Sequence, residues 1–173
     1  MVRHYERRLF GIAYGITLDR EESLDIVQDT FVKVFQKIDT FRGDAGISTW
    51  LYRITVNLSI NWKRRWKRRF RRFHISLGSD DSAKPELLRD DRYAPDGIHQ
   101  SRELEHRFRE ALKGLPEELR NVFVLKELEG LSYEEIGRIL NIKKGTVSSR
   151  LFNARQKLKN SVKPYWVEGE EQE

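Results

Sequence analysis

Residues 131–158 read LSYEEIGRILNIKKGTVSSRLFNARQKL, and their spacing predicts two short helices joined by a tight turn. Ser132, with Glu135 three residues on, has the spacing of a capping box, in which each side chain accepts a free backbone N–H beside the other. Glu134 and Glu135 fall in the first turn, where the positive helix end favours carboxylates. Ile136, Ile139 and Leu140 form one buried stripe. Gly137 lies where a side chain would collide with a second helix crossing closely, and Asn141-Ile142-Lys143 is a polar turn with one apolar anchor. Val147, Leu151, Ala154 and Leu158 recur at four, three and four, which is a single buried face. This is the layout of a helix-turn-helix.

Burying that face turns Lys144, Ser148, Ser149, Phe152, Asn153 and Gln156 outward, with Arg150 and Arg155 on the flanks. Ser and Asn can bond base edges, Phe can pack on a thymine methyl, and Lys or Arg can reach phosphates or guanine. An ordinary helical hairpin with a solvated face competes with this reading. The agreement of small residue, turn length and buried spacing favours the DNA-facing one. Upstream, Leu104, Phe108, Leu112 and Leu115 predict one helix. A second carries Val122, Phe123, Leu125 and Leu128, with Pro116 in its first turn and Glu117 and Glu118 beside its positive end.

Charge is distributed unevenly along the chain. Of 173 residues, 33 are Lys or Arg and 27 Asp or Glu, a formal +6. Residues 1–78 carry net +8, residues 79–97 net −3 and residues 98–173 net +1, the last including an acidic end with Glu168, Glu170, Glu171 and Glu173. The acidic stretch from Ser76 to Gly97 holds two of the four prolines and no apolar period, which reads as a linker. No strand alternation appears on either side. The expected fold is therefore all-α, with two small helical domains: 1–75, a linker over 76–100, 101–164, and an acidic tail over 165–173. Without cysteine there is no disulfide, thiolate metal site or thiol nucleophile. No apolar run is long enough for a membrane span or signal peptide, so a cytoplasmic location is expected.

The first lobe interleaves aromatics with cations. Ile26, Thr30, Phe31, Val34, Phe35 and Ile38 predict one helix, with Asp25, Gln28 and Asp29 on a polar flank suited to a protein partner. After the loop Phe41-Arg42-Gly43-Asp44-Ala45-Gly46, Ser48 or Thr49 can cap a second helix. That helix carries Trp50, Tyr52, Arg53, Asn57, Asn61, Trp62 and Lys63, and eight of residues 63–73 are basic. Cations at this density repel one another unless a polyanion neutralises them, and aromatics between them offer stacking surfaces for unpaired bases. Trp50 and Trp62 are equally readable as core anchors. An anionic membrane surface fits less well, because the aromatics are too few for a wide apolar face.

Three segments together, DIVQDTF at 25–31, FRGDAGISTWLYRITVN at 41–57 and LPEELRNVFVLKELEGLSYEEIGRILNIKKGTVSSRLFNARQKL at 115–158, resemble the extracytoplasmic-function (group IV) sigma factors of bacterial RNA polymerase. The resemblance covers nearly the whole chain. It implies a region 2 domain that binds the β′ clamp helices and melts the −10 element, and a region 4 domain that reads the −35 element and touches the β flap. By matching position, it implies core-polymerase contacts at Asp25, Gln28, Asp29 and Phe35. For −10 DNA it implies Arg42, Gly43, Asp44, Ala45, Gly46, Ile47, Ser48, Trp50, Tyr52, Arg53, Asn57, Asn61 and Lys63, with the loop holding a flipped base beside Asn57. For −35 DNA it implies Lys144, Thr146, Ser148, Ser149, Arg150, Phe152, Asn153 and Arg155. The implied partners are core RNA polymerase, promoter DNA and an anti-sigma factor. No cofactor, metal or catalytic residue is expected: His4, His74, His99 and His106 show no ligand spacing with carboxylates. A helix-turn-helix regulator acting without polymerase is the second reading, and it leaves the aromatic, basic first lobe unexplained.

Overall fold

The computed structural model describes residues 2–41, 46–77 and 99–167, with side-chain detail at 5–39, 41, 46–70 and 106–161, and every regular element among them is helical. The N-terminal lobe comprises α1 (Val2–Thr17), α2 (Arg20–Lys37), a 3₁₀ turn (Ile38–Thr40) and α3 (Ile47–Leu77). The C-terminal lobe comprises α4 (His99–Gly114), α5 (Glu117–Phe123), a π turn (Val124–Leu128), α6 (Tyr133–Leu140) and α7 (Lys144–Val167). The expected linker and acidic tail fall largely on 78–98 and 168–173, which lie outside the described residues.

Apolar residues three and four apart decide what each helix buries. Leu9, Ile12, Ala13 and Ile16 are fully buried on α1, and burying each of the larger three contributes roughly 1.5–3 kcal/mol. Leu18, at φ 61, breaks the chain with a left-handed residue, and the Asp19 carboxylate then accepts the Glu22 N–H at 3.0 Å to cap α2. α3 buries Leu51, Tyr52, Val56 and Leu58 against α1 and α2. Its first turn bonds back to a glycine carbonyl, Trp50 N–H to Gly46 O at 3.2 Å. Ser48 and Thr49, the expected caps, instead lie inside the helix.

In the C-terminal lobe the capping box at Ser132 and Glu135 is formed, and Asn141 closes α6 in the left-handed conformation at φ 55. Gly137 is required for a different reason from the one expected. A Cβ there would lie 2.9 Å from the carbonyl oxygen of Ile142, so the clash is with the turn and not with the crossing helix. Pro116 precedes α5 as its N-cap residue, one place earlier than predicted. Of the apolar residues whose spacing predicts α4, Phe108 is exposed, whereas Leu112 and Leu115 are buried.

The two lobes pack on each other, with α1 against α5 and the π turn and α3 against α6. One apolar cluster contains Leu9, Ile12 and Ile16 together with Val122, Leu125 and Leu131. Gly15 permits the approach, because a Cβ there would lie 2.7 Å from a methyl of Val124. Arg120 is buried and donates to Ile16 O at 3.4 Å and Leu115 O at 2.8 Å, while Lys63 donates to the same Ile16 carbonyl at 3.1 Å. A cation from each lobe thus meets a carbonyl of the last turn of α1, where free acceptors and the negative helix end lie.

Candidate nucleic-acid and partner interface

Three surfaces carry the residues singled out in the sequence. On α2, Asp25, Gln28 and Asp29 are exposed, and Phe35 is 84% exposed. Gln28, Phe31, Val34, Phe35 and Ile38 line one open, almost wholly apolar groove. Sequence periodicity had merged two faces here. α2 buries Ser23, Ile26, Val27 and Thr30, and the stripe continuing through Phe35 and Ile38 faces solvent. Val32 and Leu24 are also exposed, and a helix with large apolar residues outside its buried face is the signal that would have revealed the groove.

On α3, Arg53, Asn57 and Asn61 follow one another at four-residue intervals and are all exposed, so they form one stripe. Trp50 lies one turn before them, half-buried, its ring 5.0 Å from that of Phe41. Arg64 and Arg68, exposed on the next two turns, continue the stripe. Gly46 is exposed; Ile47 and Ser48 are half-buried, and the Ser48 hydroxyl pairs with Tyr5 OH at 3.2 Å. Arg42, Gly43, Asp44 and Ala45 lie outside the described residues. Tyr52 departs from its expected place along a strand path: it is 1% exposed, and its hydroxyl accepts from Arg8 at 3.2 Å. It faces inward with Leu51, Thr55 and Val56, its neighbours on the buried face of α3, so it packs as core. Lys63 is half-buried and turns toward the other lobe, 3.9 Å from Glu117, with Lys67 at 3.2 Å from the same carboxylate. Burial, with Arg120 nearby, pushes the Lys63 ammonium down to about 8, opposed by Glu117.

On α7, Val147, Leu151 and Ala154 are buried, and Ser148, Ser149, Asn153 and Phe152 are exposed, the last at 62%. Thr146 is half-buried and its carbonyl accepts from the Ser149 hydroxyl at 3.2 Å. The three cations expected at phosphates each have an internal partner: Lys144 with Glu134, Arg150 with Glu118 and Arg155 with Glu127. A helix end and one face bearing Ser, Phe and Asn, framed by Lys and Arg, can enter a major groove and read base edges. Among the described residues no group of His, Asp or Glu is arranged to hold a metal ion, and no helix is long and apolar enough to cross a membrane.

Comparison with known proteins agrees with this geometry. Residues 1–69 match the family model "Sigma-70 region 2" and residues 105–158 match "Sigma-70, region 4". The chain is 34% identical over 167 residues to the ECF RNA polymerase sigma-E factor of Haemophilus influenzae, covering 95% of this chain and 86% of that protein. It is 30% identical to the RNA polymerase sigma-H factor of Pseudomonas aeruginosa, over 95% of this chain and 85% of that one. Among solved structures it is similar to the sigma factor RpoE in complex with the anti-sigma factor NepR from Bartonella quintana, with a TM-score of 0.70, 24% identity and 94% of each chain covered. It is also similar to CnrH in complex with the cytosolic domain of CnrY, with a TM-score of 0.67, 23% identity, and 94% and 85% covered.

Proposed function

Because the chain belongs to the extracytoplasmic-function sigma factors, alternative sigma factors that direct promoter-specific transcription, we propose how its surfaces divide that work. The groove of α2, with Asp25, Gln28, Asp29 and Phe35, seats on the β′ clamp helices of core polymerase. The N-terminal lobe, residues 1–75, holds the −10 element. Arg42 to Ser48 receive a flipped base, Asn57 bonds it, and Trp50, Arg53 and Asn61 follow the melted strand, with Lys63 joining once it is free of Glu117. The C-terminal lobe, residues 101–164, reads the −35 duplex through Ser148, Ser149, Phe152 and Asn153 and touches the β flap. Lys144, Thr146, Arg150 and Arg155 serve the backbone. Residues 76–100 link the lobes and 165–173 form the tail.

Flipping and unstacking a base costs a few kcal/mol, which stacking at ~1–3 kcal/mol per base and phosphate contacts offset. The chain works in the cytoplasm, catalyses nothing itself, and is bound by an anti-sigma factor, as RpoE is in its complex with the anti-sigma factor NepR.

The observation that supports this reading most is the exposed apolar groove around Phe35 beside Gln28, which a helix-turn-helix regulator acting alone does not need. Run-off transcription with purified core enzyme tests it. Specific transcripts are expected with the chain present, and Gln28→Ala with Asp29→Ala is expected to weaken association with core. Unchanged association would remove the reading's main support.

A further inference from the structure

The cations that frame the reading face of α7 are not free. Lys144 pairs with Glu134 of α6, Arg150 with Glu118 of α5, and Arg155 with Glu127 of the π turn, its Nε at 3.1 Å. The three carboxylates come from three different elements, α6, α5 and the π turn. Hydrogen bonding to Lys144 holds the Glu134 carboxyl below the usual carboxylate range. Two of the pairs are open to solvent on the cation, with Lys144 65% and Arg155 54% exposed, and in the third Arg150 is 26% and Glu118 70% exposed. Exposed pairs of this kind add little to stability, so the fold has slight need of them. They do occupy the ligand positions that a DNA phosphate would take, since carboxylate and phosphate compete for the same guanidinium or ammonium.

We propose that Glu118, Glu127 and Glu134 are specificity-determining residues: they hold Arg150, Arg155 and Lys144 back from the DNA backbone until base contacts seat α7. This rests on the reading of α7 as the −35 helix. Binding to DNA of the wrong sequence is driven almost entirely by phosphate neutralisation. A helix without base contacts is not fixed in register with the backbone, and its cations keep their carboxylates. Once Ser148, Ser149, Phe152 and Asn153 dock on matching bases, all three cations face phosphates at fixed positions and exchange partners together. The carboxylates thereby oppose the wrong complex more than the right one, which is how a repulsive element creates discrimination.

The test is a salt titration of binding with the full chain and two probes: a random-sequence 20-base-pair duplex and a duplex of the same length enriched from a random pool by the wild-type chain. The variant is Glu118→Gln with Glu127→Gln and Glu134→Gln. A control with the same charge change elsewhere, Glu6→Gln with Glu21→Gln and Asp39→Asn, measures the effect of net charge alone. Each added phosphate contact steepens the salt slope by about 0.9. The variant is therefore expected to bind the random duplex with a slope steeper by up to about 2.7 and at least tenfold more tightly at low salt, and to bind the enriched duplex with little change in slope, so that discrimination falls. The control is expected to shift both probes equally. Equal shifts for both probes in the variant, or none, would overturn the proposal. If wild type and Ser148→Ala with Ser149→Ala and Asn153→Ala hold the enriched duplex equally well, the reading of α7 fails instead, and the proposal with it.

Discussion

Gly15 of α1 and Val124 of the π turn meet with no room between them: a Cβ on Gly15 would lie 2.7 Å from one Val124 methyl and 2.8 Å from the other. Neither methyl can swing away without moving the β-branched side chain, and the contact lies where the two lobes join. A leucine at Gly15 keeps or raises the helix propensity of α1 and leaves the other contacts within each lobe intact, so its cost falls on the junction, at about 1–3 kcal/mol for overpacking. If the two lobes hold the two promoter elements as proposed, they have reason to part. Elements centred near −35 and −10 are separated by roughly 85 Å of duplex, whereas a lobe of about 70 residues has a radius of gyration of only about 11 Å. Gly15→Leu is expected to raise the radius of gyration seen by small-angle scattering and to strengthen promoter binding. An unchanged scattering profile would show that the junction tolerates the side chain.

Glu129 lies on the same junction, close enough that a Cβ on Gly11 would come within 2.8 Å of its carboxylate oxygen. Burial raises its pKa to about 7, opposed by Arg8. The folded state therefore keeps a proton that the unfolded chain releases near the ordinary value of 4.5. The associated stability is fully present below that value and is lost as pH rises through about 7. Because the group is partly exposed, the effect is on the order of 1 kcal/mol. Urea denaturation should show wild-type stability falling across this window and Glu129→Gln lacking that part of the slope. Identical slopes for the two proteins would place the proton elsewhere.

At Ser132 both halves of the capping box are made, with Ser132 N–H to Glu135 Oε2 at 2.8 Å and Glu135 N–H to Ser132 Oγ at 3.2 Å. Ser132→Ala should cost about 1 kcal/mol and loosen α6, on which α7 is seated. Hydrogen exchange is expected to accelerate at Glu134 and Glu135 before it does so in α7. Equal acceleration throughout the lobe would mean that the cap stabilises the whole unit and not the first turn.

How much of this was legible in the sequence depended on whether a residue's partner was local. The capping box, the buried stripe of α7 and the solvent face with Ser148 and Asn153 follow from spacings of three and four, and all appear as read. Gly137 was seen as a close approach, but its neighbour, the Ile142 carbonyl, depends on turn geometry that periodicity does not encode. Tyr52 was misplaced because an aromatic on an amphipathic helix looks the same facing in or out, and only the packing of α1 against α3 shows which; Phe35, expected at a polymerase contact, is exposed on the bare outer face of α2. Lys63 reaches Glu117, Arg120 reaches the Ile16 carbonyl and Glu129 faces Gly11, each across the junction in the opposite lobe. No local pattern could have found them.

The contrast between Tyr52 and Asn57 gives a final prediction, because the two stand little more than a turn apart on α3 and face opposite ways. Tyr52 is core, and its hydroxyl accepts from Arg8 at 3.2 Å. Tyr52→Phe keeps the ring and removes that bond, so it should cost roughly 1 kcal/mol of stability while promoter opening by the holoenzyme is unchanged. Asn57 is exposed; Asn57→Ala should leave the stability within the range of ordinary surface changes, about 0.5 kcal/mol. If Asn57 bonds the flipped base, its loss should slow open-complex formation by about tenfold or more, since a site built to bond a base edge loses 1–3 kcal/mol without it. Permanganate reactivity of unpaired thymines, measured with thermal denaturation on the same variants, separates the two effects. A Tyr52→Phe protein that is stable but fails to open the promoter would return that ring to the DNA path.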